Sequence, residues 1–185
     1  MMGAVREEKY AASYTYDEYK NWEGKWELLY GMPYAMSPAP MVEHQSISQK
    51  ISRQLDELLD ECNECQALLP VDYKIANDIV VQPDNLVICD KSELKKAYIT
   101  KAPKIIFEVI SKSTARKDEG LKFNLYESEG VTYYILVYPN ERNAKLYKLK
   151  EGKYIKQGDF SDEKYAFELK KCSTQLKFDF SKIWA

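Results

Sequence analysis

The run Ile105–Ile110 (IIFEVI) is apolar at five of six consecutive positions, not at every second one. Alternation marks a strand with one wet face. Unbroken hydrophobicity marks a strand covered on both. Leu86–Cys89 has the same character over a shorter length. Such strands need layers above and below them, so the chain must wrap a central sheet with other elements. Within the longer run stands one carboxylate, Glu108. An ionised acid in a buried strand is costly unless a metal, a lysine or a proton compensates it, or unless a salt bridge or an exposed strand face accounts for it.

The covering elements can be read in order. Thr15 followed by Glu18 opens a short helix over Thr15–Trp22 with a capping box. Trp26–Met36 reads as two strands around the Tyr30-Gly31 turn, and Ser37-Pro38-Ala39-Pro40 breaks the pattern. From Val42 to about Glu61, Ile47, Ile51, Leu55, Leu58, Leu59 and Cys62 recur at steps of three and four. That is the clearest amphipathic helix, with His44 in its first turn. Leu68–Ile75 and Ile79–Val81 are strand-like, and the second leads into Gln82-Pro83-Asp84.

Asp118–Glu129 has helical spacing and Gly130 as its stop. Val131–Tyr138 (VTYYILVY) is a strand ended by Pro139-Asn140, and Ala144–Leu149 follows as another. The tail alternates weakly and finishes in Phe178, Phe180, Ile183 and Trp184, apolar enough to dock on the body. The order predicts a mixed α/β (α+β) domain: a central mixed sheet flanked by helices, with an N-terminal hairpin and extra C-terminal strands. At 185 residues a single domain is expected over 1–185, with residues 1–13 as a flexible arm.

Composition narrows the class. Hydrophobic residues make up 45% and charged residues 30%, the balance of a soluble globular chain and not of a disordered one. No apolar run reaches the ~18 residues of a membrane span, and MMGAVREEKYAAS has no signal-peptide core. A cytoplasmic location is expected. The net charge of −2 leaves nucleic acid open, because a local basic patch can hide in an acidic total. Lys91, Lys95, Lys96, Lys101 and Lys104 crowd one stretch, which also suits a solvated loop.

Cys62 and Cys65 have CxxC spacing, but they close a helix instead of opening one, and the only histidine is His44. Zinc would need a second pair or a Cys/His partner nearby. These two, with Cys89 and Cys172, are therefore expected to be reduced thiols without a metal.

Asp84 and Glu108 can converge if their strands are neighbours. Paired carboxylates with a backbone carbonyl form a hard-oxygen site suited to Mg²⁺ or Mn²⁺. A lysine is the next part such a site wants, to stabilise charge at a phosphoryl oxygen or a water. Lys112 and Lys122 are the candidates; Lys122 also stands four residues after Asp118, as a plain surface ion pair would.

The ordered set Gln82-Pro83-Asp84, Ala102-Pro103, Phe107–Ser111, Ser113-Thr114, Asp118 and Lys122 is similar to one bacterial family. Tyr126 and Gly130-Val131 extend the likeness, as do Trp26-Glu27-Leu28 to Gly31, Met36-Ser37-Pro38 and His44. From about Thr15 to Lys148 the chain resembles the Uma family of endonucleases, which has the restriction-endonuclease-like PD-(D/E)XK fold.

The resemblance implies that Asp84, Glu108 and the Val109 carbonyl hold the metal. It implies that Lys122 replaces the strand lysine expected where Ile110 stands. Glu27, as a further ligand, and His44, near a phosphate or water, would complete the pocket, and Asp118 would orient Lys122. Lys112 stands where the family has Pro, and Tyr138 where it has Asp. The implied activity is metal-dependent hydrolysis of nucleic acid, DNA foremost, by a chain that could act as a homodimer. The alternatives are a non-catalytic DNA-binding or accessory module that retains the fold, and a structural dimer.

Overall fold

The computed structural model describes residues 13–36 and 41–184. The expected break at Ser37–Pro40 and nearly all of the N-terminal arm lie outside the described residues. Helix α1 (Tyr16–Tyr19) begins where Glu18 reaches back to accept from the Thr15 backbone N–H at 2.8 Å. Strands β1 (Trp26–Leu29) and β2 (Met32–Ala35) pair through a two-residue turn in which Tyr30 and Gly31 both take positive φ. That is the turn whose twist matches a hairpin.

Helix α2 (Val42–Leu59) buries Ile47, Ile51, Leu55 and Leu59 along one stripe. Each such side chain contributes roughly 1.5–3 kcal/mol by leaving water. Next come β3 (Gln66–Leu68), β4 (Tyr73–Ala76), β5 (Ile79–Val81), β6 (Asn85–Ile88) and β7 (Ile105–Val109). The single strand expected over Leu68–Ile75 is therefore two. Pro70 sits between them and has no N–H to carry a ladder onward.

A π-helical turn (Lys117–Lys122) runs directly into α3 (Phe123–Glu129). Strands β8 (Tyr133–Tyr138), β9 (Asn143–Lys150), β10 (Lys153–Phe160), β11 (Lys164–Phe167) and β12 (Leu176–Asp179) complete the chain.

The central sheet has the order β10-β9-β8-β7-β6-β3. It is antiparallel except where β7 and β8 run parallel, the pair joined by the π turn and α3. Alternate residues of β7 serve two cores. Ile105, Phe107 and Val109 pack with α2 and the β11–β12 hairpin, while Ile106 packs with Leu125, Tyr126 and Tyr134. Glu108 shares the face of Ile106. A second sheet, β2-β1-β5-β4, contributes Leu29 and Val81 to that same side. The docked tail is as expected: Phe178, Phe180, Ile183 and Trp184 are buried.

The cysteines depart from expectation. They are paired as Cys62–Cys172 and Cys65–Cys89, across 110 and 24 residues of sequence. The partners that the CxxC segment lacks locally are delivered by topology. Cys89 follows the last residue of β6 beside the end of α2, and the C-terminal hairpin returns Cys172 to the same place.

Gly130 ends α3 in the left-handed region (φ 81°) with open space where a Cβ would be, whereas a Cβ on Gly31 (φ 75°) would meet the Ser13 side chain. Gly130→Ala is expected to cost about 1–2 kcal/mol through backbone conformation alone, and Gly31→Ala measurably more. Urea unfolding of the two variants checks the order.

Candidate active site

Asp84 lies just ahead of β6. Asn85 pairs with Phe107, and continuing that antiparallel register sets Asp84 opposite Glu108. Asp84 Oδ2 accepts from the Val109 backbone N–H at 2.8 Å, so side chain and neighbouring strand are locked together. Helix α2 is fixed to this spot by a buried exchange: Ser48 Oγ donates to Asn85 Oδ1, and Asn85 Nδ2 donates to the Ser48 carbonyl, each at 3.1 Å. One turn earlier on α2, His44 Nε2 stands 3.3 Å from Asp84 Oδ2. Burial disfavours the imidazolium. Asp84 and the Val109 carbonyl more than offset this and hold His44 above the ordinary histidine range.

Beneath this rim sits Lys122, 2% exposed. Its ammonium lies 2.7 Å from Glu27 Oε1, 2.9 Å from Glu108 Oε1 and 3.5 Å from Asp118 Oδ1. Glu27 comes from β1 in the second sheet, Glu108 from β7, and Asp118 from the π turn. Three parts of the fold thus meet on one cation. The π turn aims Asp118 and Lys122 to the same inward side, and Tyr134 Oη donates to the Asp118 carbonyl at 2.9 Å. A widened helical turn of this kind recurs at functional sites. Lys122 is therefore not a surface ion pair.

Around it the carboxylates diverge. Burial pushes the Glu108 carboxyl well up, and Lys122 offsets only part of that, against Asp118, Asp84 and Glu27. Asp118 is raised by burial and by Glu27, against Lys122, Thr114 and Lys117, and its Oδ1 faces the Lys122 ammonium without a hydrogen bond. Burial would raise Glu27 too, but Lys122 and Lys117 outweigh it and hold Glu27 below the usual range. For Lys122, burial works against the charge and is overcome by Glu108, Glu27 and Asp118, which keep the ammonium protonated.

The sequence-derived set comes together unevenly. Asp84, Val109 and His44 form one group, Glu27, Glu108, Asp118 and Lys122 another, and Glu108 lies on their shared border. Lys122 separates the acids, so among the described residues no three of their ligand atoms gather within 4.8 Å. Lys112 is exposed and stands outside both groups.

Three further partners were not foreseen. The Lys117 ammonium bonds Glu27 Oε2, Tyr126 Oη donates to Glu108 Oε1 at 3.1 Å, and the Gln82 N–H donates to Glu27 Oε1 at 2.9 Å. Tyr126, four residues after Lys122, reads from spacing only as part of an apolar face. A backbone donor such as Gln82 leaves no residue-type signal. Of the crowded lysines, Lys101 pairs with Asp90 at the surface, whereas Lys96 bonds the buried Glu93 beside a short 3-10 helix (Lys91–Lys95).

Removing Lys122 leaves three buried acids without their shared cation. Lys122→Met is expected to destabilise the fold by roughly 3–5 kcal/mol, and Lys117→Met, whose side chain is 14% exposed, by less. Adding Glu108→Gln to Lys122→Met should recover part of the loss. Urea denaturation of the double-mutant cycle reads this coupling.

No curated protein matches the chain. A solved structure from Anabaena variabilis ATCC 29413, titled a "putative nuclease belonging to DUF820", superposes with a TM-score of 0.74 at 15% identity, covering 92% of this chain and 97% of that one. At that identity the likeness shows the fold. The profile of the Uma2 family, described as "Putative restriction endonuclease", matches residues 14–168, and the chain belongs to that family.

Proposed function

We propose that this chain is a metal-dependent nuclease that hydrolyses phosphodiester bonds of DNA, with its reacting centre at the border between Asp84 and Glu108. The observation that carries the reading is the hydrogen bond from Val109 N–H to Asp84 Oδ2. It draws a carboxylate to the end of β7, where the Glu108 carboxylate and the Val109 carbonyl already stand.

The donors fit a hard divalent cation: two carboxylates and a carbonyl, all oxygen. Electrostatics agrees: Glu108 is pushed up by burial and three neighbouring acids, which Lys122 only partly offsets, so the pocket favours added positive charge. Asp84, Glu108 and Val109 would hold Mg²⁺ or Mn²⁺, which when bound polarises a phosphoryl oxygen and acidifies a water.

The chain's own side chains do the rest. Lys122 keeps Glu27 ionised and fixes the Glu108 oxygen that it shares with Tyr126. His44, protonated more readily beside Asp84, presents a cation to a phosphate at the rim. Lys117 is less buried than Lys122, and swinging from Glu27 it would meet the developing charge on the scissile phosphate. This division differs from a role for Lys122 directly on phosphate, because three carboxylates already surround its ammonium.

Isosteric variants test the reading. Asp84→Asn and Glu108→Gln should abolish Mg²⁺-dependent cleavage of plasmid or single-stranded DNA, and also the heat of Mg²⁺ binding in calorimetry. Lys117→Ala should bind Mg²⁺ but cleave on the order of 100-fold more slowly. Salt is held constant throughout, because phosphate contacts make affinity depend on it. Wild-type protein that binds DNA in a salt-dependent way, yet cleaves neither DNA nor RNA with Mg²⁺ or Mn²⁺, would favour an accessory DNA-binding module instead.

A further inference from the structure

A second cluster lies away from the acidic site, on the other face of the central sheet. Cys62 and Cys65 occupy the turn that follows α2, where Cys62 N–H donates to the Leu59 carbonyl at 2.8 Å and Cys65 N–H to the Cys62 carbonyl at 3.3 Å. Cys89 is the residue after β6. Cys172 lies between β11 and β12, in a turn closed by its N–H on the Leu169 carbonyl at 2.9 Å. The sulfurs of Cys62, Cys65 and Cys172 all lie within 4.8 Å of one another, while that of Cys89, bonded to Cys65, sits at the edge of this group and would swing toward it once reduced. Four sulfurs from three separate segments therefore share one locus.

Two independent disulfides would not require this convergence; each needs only its own partner. A tetrahedral metal does require it. With Zn–S bonds of about 2.3 Å the four sulfurs of a tetrathiolate stand about 3.8 Å apart. Thiolate is the soft ligand that selects zinc. A CxxC turn supplies two ligands, and two more distant residues complete the set.

The surroundings also suit the charge. Zn²⁺ with four thiolates carries a net −2, and the cleft beside Cys89 and Cys172 is lined by Lys104, Lys170 and Lys171, and by Lys148, which pairs with the one acid there, Glu168. Cys62, Cys65 and Cys89 are buried and Cys172 is partly exposed, so the site is closed as a structural one would be, with access along one side.

We propose that Cys62, Cys65, Cys89 and Cys172 in their reduced form bind one Zn²⁺ as a structural tetrathiolate site, which ties the end of α2 to β6 and to the C-terminal hairpin. Reaching it from the paired form consumes four electrons and four protons: two equivalents of a dithiol supply both and become disulfides, or two of a phosphine supply the electrons and become phosphine oxide, with two waters giving the protons and the oxygen. Binding Zn²⁺ then releases four protons from the four thiols. The same segments are held together in both forms, so the fold of the acidic site is retained. Where thiols are kept reduced, the zinc form is the one that persists.

The experiment uses the full chain purified with a phosphine reductant and no chelator. Elemental analysis should give one zinc per chain, and the four cysteines should resist alkylation until zinc is removed. Replacement by Co²⁺ should produce thiolate-to-cobalt charge transfer and the strong d–d absorption of a tetrahedral ion. Cys172→Ser, at the most exposed ligand, should weaken zinc binding at least as much as the roughly 10–100-fold that loss of an outer-shell partner costs. Asp84→Asn should leave the zinc in place. If Cys172→Ser does not fold, the wild-type cobalt spectrum and the alkylation count decide. Reduced, folded protein with four freely alkylated thiols and no zinc would overturn the proposal. So would protein that keeps both disulfides under reductant, or zinc that is lost with Asp84→Asn and kept in Cys172→Ser.

Discussion

The Lys122 ammonium and the carboxylates around it are the constraint to which the rest of this molecule is fitted. A charge with 2% exposure is tolerated only because Glu27 and Glu108 each approach it within 3 Å and Asp118 completes the shell. These acids in turn are tolerable in the interior largely because the lysine is there, with Lys117 as a second cation for Glu27 and the Tyr126 hydroxyl as a donor to Glu108. The arrangement stabilises little in sum, since burial opposes every member. It is instead specific. The second sheet, the central sheet and the π turn must all be correctly placed for any one of the charges to be satisfied, so the cluster reports on the whole fold.

From that constraint the architecture of the acidic site follows. Strand β7 must be central, because both of its faces are covered. Glu108 must then point into the core shared with α3 and the second sheet, since Ile105, Phe107 and Val109 take the other face. The crossover from β7 to the parallel β8 has to pass over Glu108, and it does so as a widened turn that presents Asp118 and Lys122 together. Asp84 and His44 complete the outer edge. Asp84 is bound through Val109, and His44 is carried by a helix that the Ser48–Asn85 pair anchors. A buried, charge-rich interior opening on a carboxylate and carbonyl rim is the kind of place where cations and phosphates are handled, and perturbed carboxyl groups cluster at such places.

The two faces of the sheet are held by different means. The face of Glu108 depends on ion pairs and tyrosine hydroxyls. The α2 face depends on packed aliphatic and aromatic side chains, Phe107, Phe167 and Phe178 among them, and on the cysteines at the far end of the helix. Cross-linking α2 to the C-terminal hairpin holds this face together without drawing on the charged one.

By itself the sequence determined the periodicities and the chemistry that residue types carry. The unbroken run around Glu108, the stripe of Ile47, Ile51 and Leu55, and the Tyr30-Gly31 and Gly130 breaks were legible because they depend on neighbours a few residues away. The Asp84, Glu108 and Lys122 set was legible through its order along the chain, as a resemblance. Only the tertiary structure decided how deep Lys122 lies, that Lys117 and Tyr126 join the cluster, and that four cysteines meet. Each of these depends on contacts between segments that are distant in the chain: Glu27 reaches Lys117 from another sheet, and Cys172 reaches Cys62 across 110 residues. Spacing along a chain says nothing of such meetings, because their geometry is set by which strands pair and by where the connections return.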